Sequence, residues 1–453
     1  MTQPTPQRHL QRSLRRRVIA SLFAGSLAVS PALLSGFGPL TVSAQAAGAV
    51  VHKYSLGSKV SLSTYHFATG PQEVRVVTIT QGAGAFDIAT AGAAFGPYAK
   101  PSAIASNAYD NGSSNGPALA GTNGDFATNG MPVHLEQVDG EIWSSALSAS
   151  PRFAINADGS QAWIGNSDLS MSADFNGTKF LIDHWNAGGP AANEISAFSQ
   201  VGGTSEQPPS NGTDAFCAVR LLPTSTPQWS DVNKVGITRT YKVDGGLNTG
   251  PCPTTQMALG PEPGAVVLSS RGGGTGGNFL TTLHKDDVLS LTWKSLGWNG
   301  VVDSVGGTPI LVNHGVNVGP DYRPGQNYVY NYNPRTAIGV NLGCSDKDPA
   351  TICKIFIVTV DGRRTGWSSG WRMNQLGNFF AKTLHADYAL NMDGGGGSVM
   401  WVHQQTTQFA PCLKSASAGC LVTKPSDPSG ERVAVMAMLA LPGPDLGIPK
   451  SLR

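Results

Sequence analysis

Residues 333–400 constrain the fold more than any other part of the chain. Two β-branched, apolar runs at 336–341 and 354–360 flank a short loop bracketed by Cys344 and Cys353. Their brevity and alternation predict an antiparallel hairpin. After Asp361-Gly362, the positions Met373, Leu376, Phe379, Phe380 and Leu384 recur at helical spacing, predicting a helix over 371–385 capped by Ser368 or Ser369. A third strand at 389–392 then stops at Asp393 and four consecutive glycines. Strand, helix and strand make a crossover unit, whose two strands are expected to run parallel with right-handed connection. Asp361 and Asp393 then end parallel strands, and Arg335 begins the antiparallel partner. One guanidinium and two carboxylates are expected at one sheet edge, where open sheets with parallel strands bind ligands.

The remaining chain reads as many short strands. Runs at 59–65, 73–80 and 86–91 carry strand patterns between turn residues, and Asp139-Gly140 is a hairpin turn signal. Residues 101–117 read as a loop, as do the Gly- and Pro-rich tracts at 202–214, 245–253, 261–264 and 272–277. The expected class is α+β: a mixed, strand-rich sheet with few helices and a βαβ crossover near the C-terminus. The expected organisation is a strand-rich part at 48–117, a larger domain at 118–445 with insertions at about 165–300, and a tail at 446–453.

The N-terminus reads as an export signal. Arg8, Arg12, Arg15, Arg16 and Arg17 precede an uncharged stretch, 18–47, that closes on the small residues of Ser43-Ala44-Gln45-Ala46-Ala47. The triple arginine leaves the general and twin-arginine export routes both open. An uncleaved anchor is the alternative, which Pro31, Pro39 and repeated glycine weaken. Without residues 1–47, 26 basic residues face 29 acidic ones. That balance offers no footprint for nucleic acid, and no later segment predicts a membrane span. The six cysteines fall in consecutive pairs, Cys217 with Cys252, Cys344 with Cys353 and Cys412 with Cys420. Three local disulfides are the simplest reading and fit an exported chain.

Several residue groups can carry chemistry. Asp393 can serve as nucleophile, acid/base or metal ligand, and the amides of Gly394, Gly395 and Gly396 can form an anion nest. Arg335, stiffened by Pro334, offers a fork for phosphate or carboxylate, or else an ion pair with Asp361. Asp361 and Arg363 share the same expected edge. Asn123-Gly124-Asp125-Phe126 and Gly306-Gly307-Thr308-Pro309 are weak motifs alone. His134, His314 and His385 lack metal-ligand spacing and read as surface or packing residues.

Six segments in order resemble the phosphodiester glycosidase family: TNGDFATNGMPVHLEQVDGEI from Thr122, VGGTPILVNHG from Val305, NPRTAIGVN from Asn333, VTVDGRRTGW from Val358, LNMDGGGGSVMWV from Leu390 and ERVAVMAMLAL from Glu431. The chain departs from the family pattern at Ala127, after Phe126, and at Met392, before the glycine loop. The resemblance implies a hydrolase that cleaves a sugar-1-phosphodiester, N-acetylglucosamine-1-phosphodiester-like, at the glycosidic bond of cell-envelope or extracellular glycans. It implies Asp393, Asp361 and Arg335 as catalytic residues, and Asn123, Asp125, Thr336, Arg363, Asn391, Gly394, Gly395, Gly396 and Ser398 as substrate-binding ones. No resident metal is implied; a carboxylate-bound Ca²⁺ is compatible but has no loop signature. Two other classes fit the same residues: a hydrolase of ordinary glycosides, and a secreted glycan-binding protein without turnover.

Overall fold

A computed structural model describes residues 49–443, apart from 58–59, 69, 81–84, 93, 95, 111–117, 147–149, 192, 203–215, 226–235, 247–256, 322–330, 345–349 and 404–411. The expected export signal and Cys252 lie outside the described residues.

The central sheet has eight strands, in the order Ala49–Gly57, Val60–Phe67, Gln72–Thr80, Ile352–Val360, Arg335–Leu342, Tyr388–Asn391, Ile310–Asn313 and Val316–Asn317. Each neighbouring pair in it is antiparallel. The Arg335–Leu342 strand is therefore antiparallel to both flanking strands, and Ile352–Val360 runs parallel to Tyr388–Asn391 with that strand between them. The crossover exists, but its strands are not neighbours. The hairpin is clipped by the Cys344–Cys353 disulfide, and a second disulfide joins Cys412 to Cys420.

Alternation along these strands sorts their side chains between two cores. Ala337, Phe356, Val358 and Val360 face Trp371, Met373, Leu376 and Phe380. Ile338, Val340, Ile355 and Ile357 face Met400, Val402 and Met438, from a six-stranded sheet. That sheet runs Lys414–Ala416, Gly419–Leu421, Met400–His403, Ala120–Asn123, Met436–Leu441 and Ala85–Thr90.

Two further sheets come from the middle of the chain. One joins Ala162–Gly165, Arg152–Asn156, Val301–Gly306, Glu136–Val138 and Glu141–Ser144, with Asp139-Gly140 as the expected hairpin turn. The other has eight strands drawn from 169–295 and encloses its own core around Trp185, Trp293, Leu268 and Leu291. Its Ser196–Ser199 and His184–Trp185 strands form a parallel pair.

Three expectations about helices are corrected. Residues 101–110 form a helix, not a loop. Pro101 suits a first helical turn, and Glu431 accepts hydrogen bonds from the Ser102 amide and hydroxyl at 3.0 and 2.7 Å. A carboxylate 329 residues away is invisible to local pattern. The helix Thr275–Leu280 begins inside the glycine tract read as a loop. The 371–385 helix is shorter than its apolar periodicity: Met373–Asn378 is α-helical and Phe379–Thr383 continues as a π-turn. Arg372 caps it with Gln375. Ser368 instead donates to the Asp361 carbonyl at 2.6 Å. Among the described residues, no helix is long and apolar enough to cross a membrane.

Candidate active site

At the edge where the Arg335–Leu342 strand begins, Arg335 pairs with Val360 in register. Its side chain therefore takes the Val360 face. There it is 4% exposed, and its Nε and Nη2 donate to the carbonyls of Trp371 (2.9 Å) and Asn331 (2.8 Å). The ion pair with Asp361 that stood as the alternative does not form; backbone carbonyls of Trp371 and Asn331 hold the guanidinium. Burial, and then repulsion from Arg363, lower its pKa to about 10. Arg363, in the left-handed region at φ 56°, donates from Nε and Nη2 to Asn333 Oδ1 at 3.1 and 2.7 Å.

The glycine loop lies beside Arg363. Gly395 has φ +67°, a conformation that favours glycine. A methyl group there would lie 3.3 Å from Arg432 Nη2 and 3.6 Å from Arg363 Nη1. Arg432 donates to the Gly394 carbonyl at 2.7 Å and approaches Asp393 Oδ2 at 3.5 Å. Two guanidiniums, those of Arg363 and Arg432, thus lie beside the loop, and Arg335 is close enough to Arg363 to feel its charge. The expected amide nest is mostly spent internally: Gly394 donates to Asp393 Oδ1 at 2.8 Å, and Gly395 to the Pro334 carbonyl at 3.1 Å. Positive charge here comes from side chains more than from amides.

Asp393 keeps its carboxylate 31% exposed beside these cations. Burial raises its pKa; Arg432 and the Gly394 amide pull it down, and Asp125 pushes it up. Asn123 Nδ2 donates to the Asp393 carbonyl at 2.7 Å, and its Oδ1 accepts from Thr336 at 2.7 Å. Thr336 in turn lies 3.2 Å from Ser398 Oγ. This buried chain fixes the loop's position. Asn391 lies beneath it, with Nδ2 donating to the carbonyls of Thr308 and Met392.

Asp125 is buried behind Asp393. Its Oδ1 lies 2.6 Å from His134 Nδ1, and its Oδ2 accepts the His134 amide at 2.9 Å. Burial raises its pKa against the pull of His134. Glu136 is fully buried, accepts the Gly306 amide at 3.2 Å, and has its pKa raised well above the usual range by burial and then by Asp125.

Asp361 is 1% exposed and is held by partners of its own. It alternates onto the Thr336–Thr359 face, opposite to Arg335. Its Oδ2 accepts from Trp367 Nε1 (2.7 Å) and the Lys424 amide (3.0 Å). Burial raises its pKa to about 6, with Arg75 acting against the shift. Stability linked to this group is present below the unfolded value near 4 and falls as pH rises towards 6, because the fold holds the proton more tightly than the unfolded chain does. We expect Asp361→Asn to gain about 3 kcal/mol relative to the parent between pH 4 and pH 7.5, measured by urea denaturation at both pH values.

Sequence reasoning missed Arg432, His134 and Glu136 as members of this region. His134 carried no ligand spacing, and Arg432 lies 39 residues from Asp393 with no motif joining them. Elsewhere, the carboxylates of Asp87, Asp139 and Asp303 place ligand atoms within 4.8 Å of one another, an arrangement compatible with a hard cation.

Residues 238–439 match the family model described as "Phosphodiester glycosidase". The matched stretch contains Arg335, Asp361, Arg363, Asp393 and Arg432, and bears out the resemblance carried by the sequence motifs. The family is one of glycosidase-type hydrolases and implies a glycan-type substrate. A solved chain titled "Crystal structure of a hypothetical protein from Synechocystis" shares the fold, with a TM-score of 0.59 at 18% identity. The match covers 86% of this chain and 63% of that one. None of the curated proteins matches the chain significantly.

Proposed function

With the phosphodiester glycosidase match as premise, we propose that this chain hydrolyses a sugar-1-phosphodiester at the glycosidic bond, on extracellular or cell-envelope glycans reached through an N-terminal export signal. The observation that carries the reading is the partly exposed carboxylate of Asp393 beside Arg432, on a glycine loop that Arg363 also approaches. A phosphodiester is anionic and already a good leaving group. Its cleavage needs a cationic cradle more than a strong general acid.

Arg363 and Arg432 reach the loop surface and take the phosphate oxygens, with Arg335 adding charge from beneath. Asp393 takes a proton from the water that attacks C1. The C1–O bond breaks as the water attacks, its electron pair leaves with the phosphate oxygen, and the products are a free sugar and a phosphomonoester. An oxocarbenium-like transition state places developing positive charge near Asp393, which its carboxylate stabilises. Between the two aspartates, the geometry favours Asp393 for this role, because Asp361 is 1% exposed with its Oδ2 held by Trp367 and the Lys424 amide, whereas the Asp393 side chain is 31% exposed beside Arg432. Asn123, Thr336, Asn391 and Ser398 position the loop, and Asp125 with His134 supports Asp393 from behind.

The test compares a simple alkyl diester of N-acetylglucosamine 1-phosphate with the matching nitrophenyl glycoside. We expect free sugar from the diester at the higher kcat/KM, and a loss of roughly 10- to 100-fold on the diester alone in Arg363→Ala, since truncating a charged partner costs about 2 kcal/mol or more. A faster glycoside reaction, insensitive to Arg363, would instead identify an ordinary glycosidase.

A further inference from the structure

A second groove opens at the other end of the central sheet. It lies between the edge strand Ala162–Gly165 and the ends of Arg335–Leu342 and Tyr388–Asn391, and encloses about 650 Å³. That volume is of ligand-site size. Arg335 begins the strand whose last residue, Leu342, lines this groove. At roughly 3.3 Å per residue, the groove lies on the order of 20 Å from the arginine cluster.

Its walls have a specific chemistry. The indoles of Trp163 and Trp298 lie nearly parallel, at 12° and 6.0 Å between ring centres. Both are half-buried. The Arg152 guanidinium, itself buried, lies 5.2 Å from the Trp298 ring and steadies it. Across the groove, the Tyr388 hydroxyl lies 2.8 Å from His314 Nδ1. His314 is held there by a tight turn in which it takes φ 49°. Asp387 adds a carboxylate oriented by the Leu342 amide and Asn341 Nδ2, at 2.8 and 3.1 Å. Broad aromatic faces opposite a few fixed polar groups suit a molecule with one apolar face and a rim of hydroxyls. A pyranose ring is such a molecule. No Lys or Arg is among the described residues that line the groove, and one carboxylate is. The described lining therefore offers an anion no cationic side chain, in contrast with the arginines at the other edge.

We infer that this groove is a binding site for a neutral saccharide, separate from the phosphodiester site. It anchors the uncharged part of a glycan without taking part in bond cleavage. The inference stands on the groove's own residues and does not require the hydrolase reading.

The probes are chitotetraose, cellotetraose and maltotetraose, titrated into the full chain by calorimetry and tryptophan fluorescence. At least one is expected to bind saturably, Trp163→Ala to weaken it at least tenfold, and Tyr388→Phe to weaken it several-fold. Hydrolysis of a small sugar phosphodiester should be unchanged in Trp163→Ala, so failure of catalysis and failure of this site are read separately. Circular dichroism checks each variant; if Trp163→Ala does not fold, Tyr388→Phe decides. The inference is overturned if none of the three probes binds up to about 10 mM, beyond the weak end of specific affinity. It is equally overturned if folded variants bind as the parent does.

Discussion

Asp393→Asn should lower kcat on a sugar-1-phosphodiester by on the order of 1,000-fold while the protein stays folded. A positioned acid/base group typically contributes 10²–10⁴-fold. The amide keeps an acceptor for the Gly394 N–H now bound to Oδ1 at 2.8 Å. The bond from Asn123 Nδ2 goes to the Asp393 backbone carbonyl and is untouched. What disappears is the negative charge and its basicity, beside Arg432. Substrate affinity should hold or rise, since a phosphate no longer shares the cluster with a carboxylate. A kcat collapse with unchanged or lower KM is the signature. A rise in KM with kcat retained would make Asp393 a binding residue only.

Gly370→Ala should destabilise the fold by roughly 3 kcal/mol and cost activity as well. Gly370 has φ +92°, and a Cβ there would meet the carbonyl carbon and oxygen of Asn333 at 2.4 Å. Both atoms are backbone and cannot swing aside. Asn333 and Trp371 exchange backbone hydrogen bonds of 3.3 and 3.0 Å. Through them the Trp371 carbonyl holds Arg335 and Asn333 Oδ1 holds Arg363. Displacing this bridge moves two arginines together, so kcat/KM on the diester should fall at least tenfold. Gly366→Ala is the control. Its φ is +73°, but nothing lies within 4 Å of the added methyl. It should show only the left-handed strain, about 1–2 kcal/mol, with activity retained. Equal losses in both variants, read by urea denaturation and steady-state kinetics, would refute the bridge.

The sheet edge was legible because strand alternation and the Asp361 and Asp393 stops are local signals. The same local reasoning placed Arg335 at that edge, and the structure agrees. It did not resolve side-chain direction. Arg335 and Asp361 differ by one position in register, and a period of two sends them to opposite faces. Arg432 was not legible, because its approach to the glycine loop depends on packing between sheets. Neither was the 101–110 helix, whose first turn is completed by Glu431 from the far end of the chain. Asp125 was singled out by a weak Asn-Gly-Asp motif and by the family resemblance, and His134 only as an isolated histidine; their contact depends on a turn that returns the chain nine residues later.

Hydrolysis in ¹⁸O-water tests the central claim most directly, with the phosphomonoester product examined by ³¹P resonance or mass spectrometry. Attack at C1, assisted by Asp393 with the arginines on the leaving phosphate, predicts a phosphomonoester carrying no solvent oxygen. Label in the phosphate would mean that the P–O bond breaks, and would contradict the account.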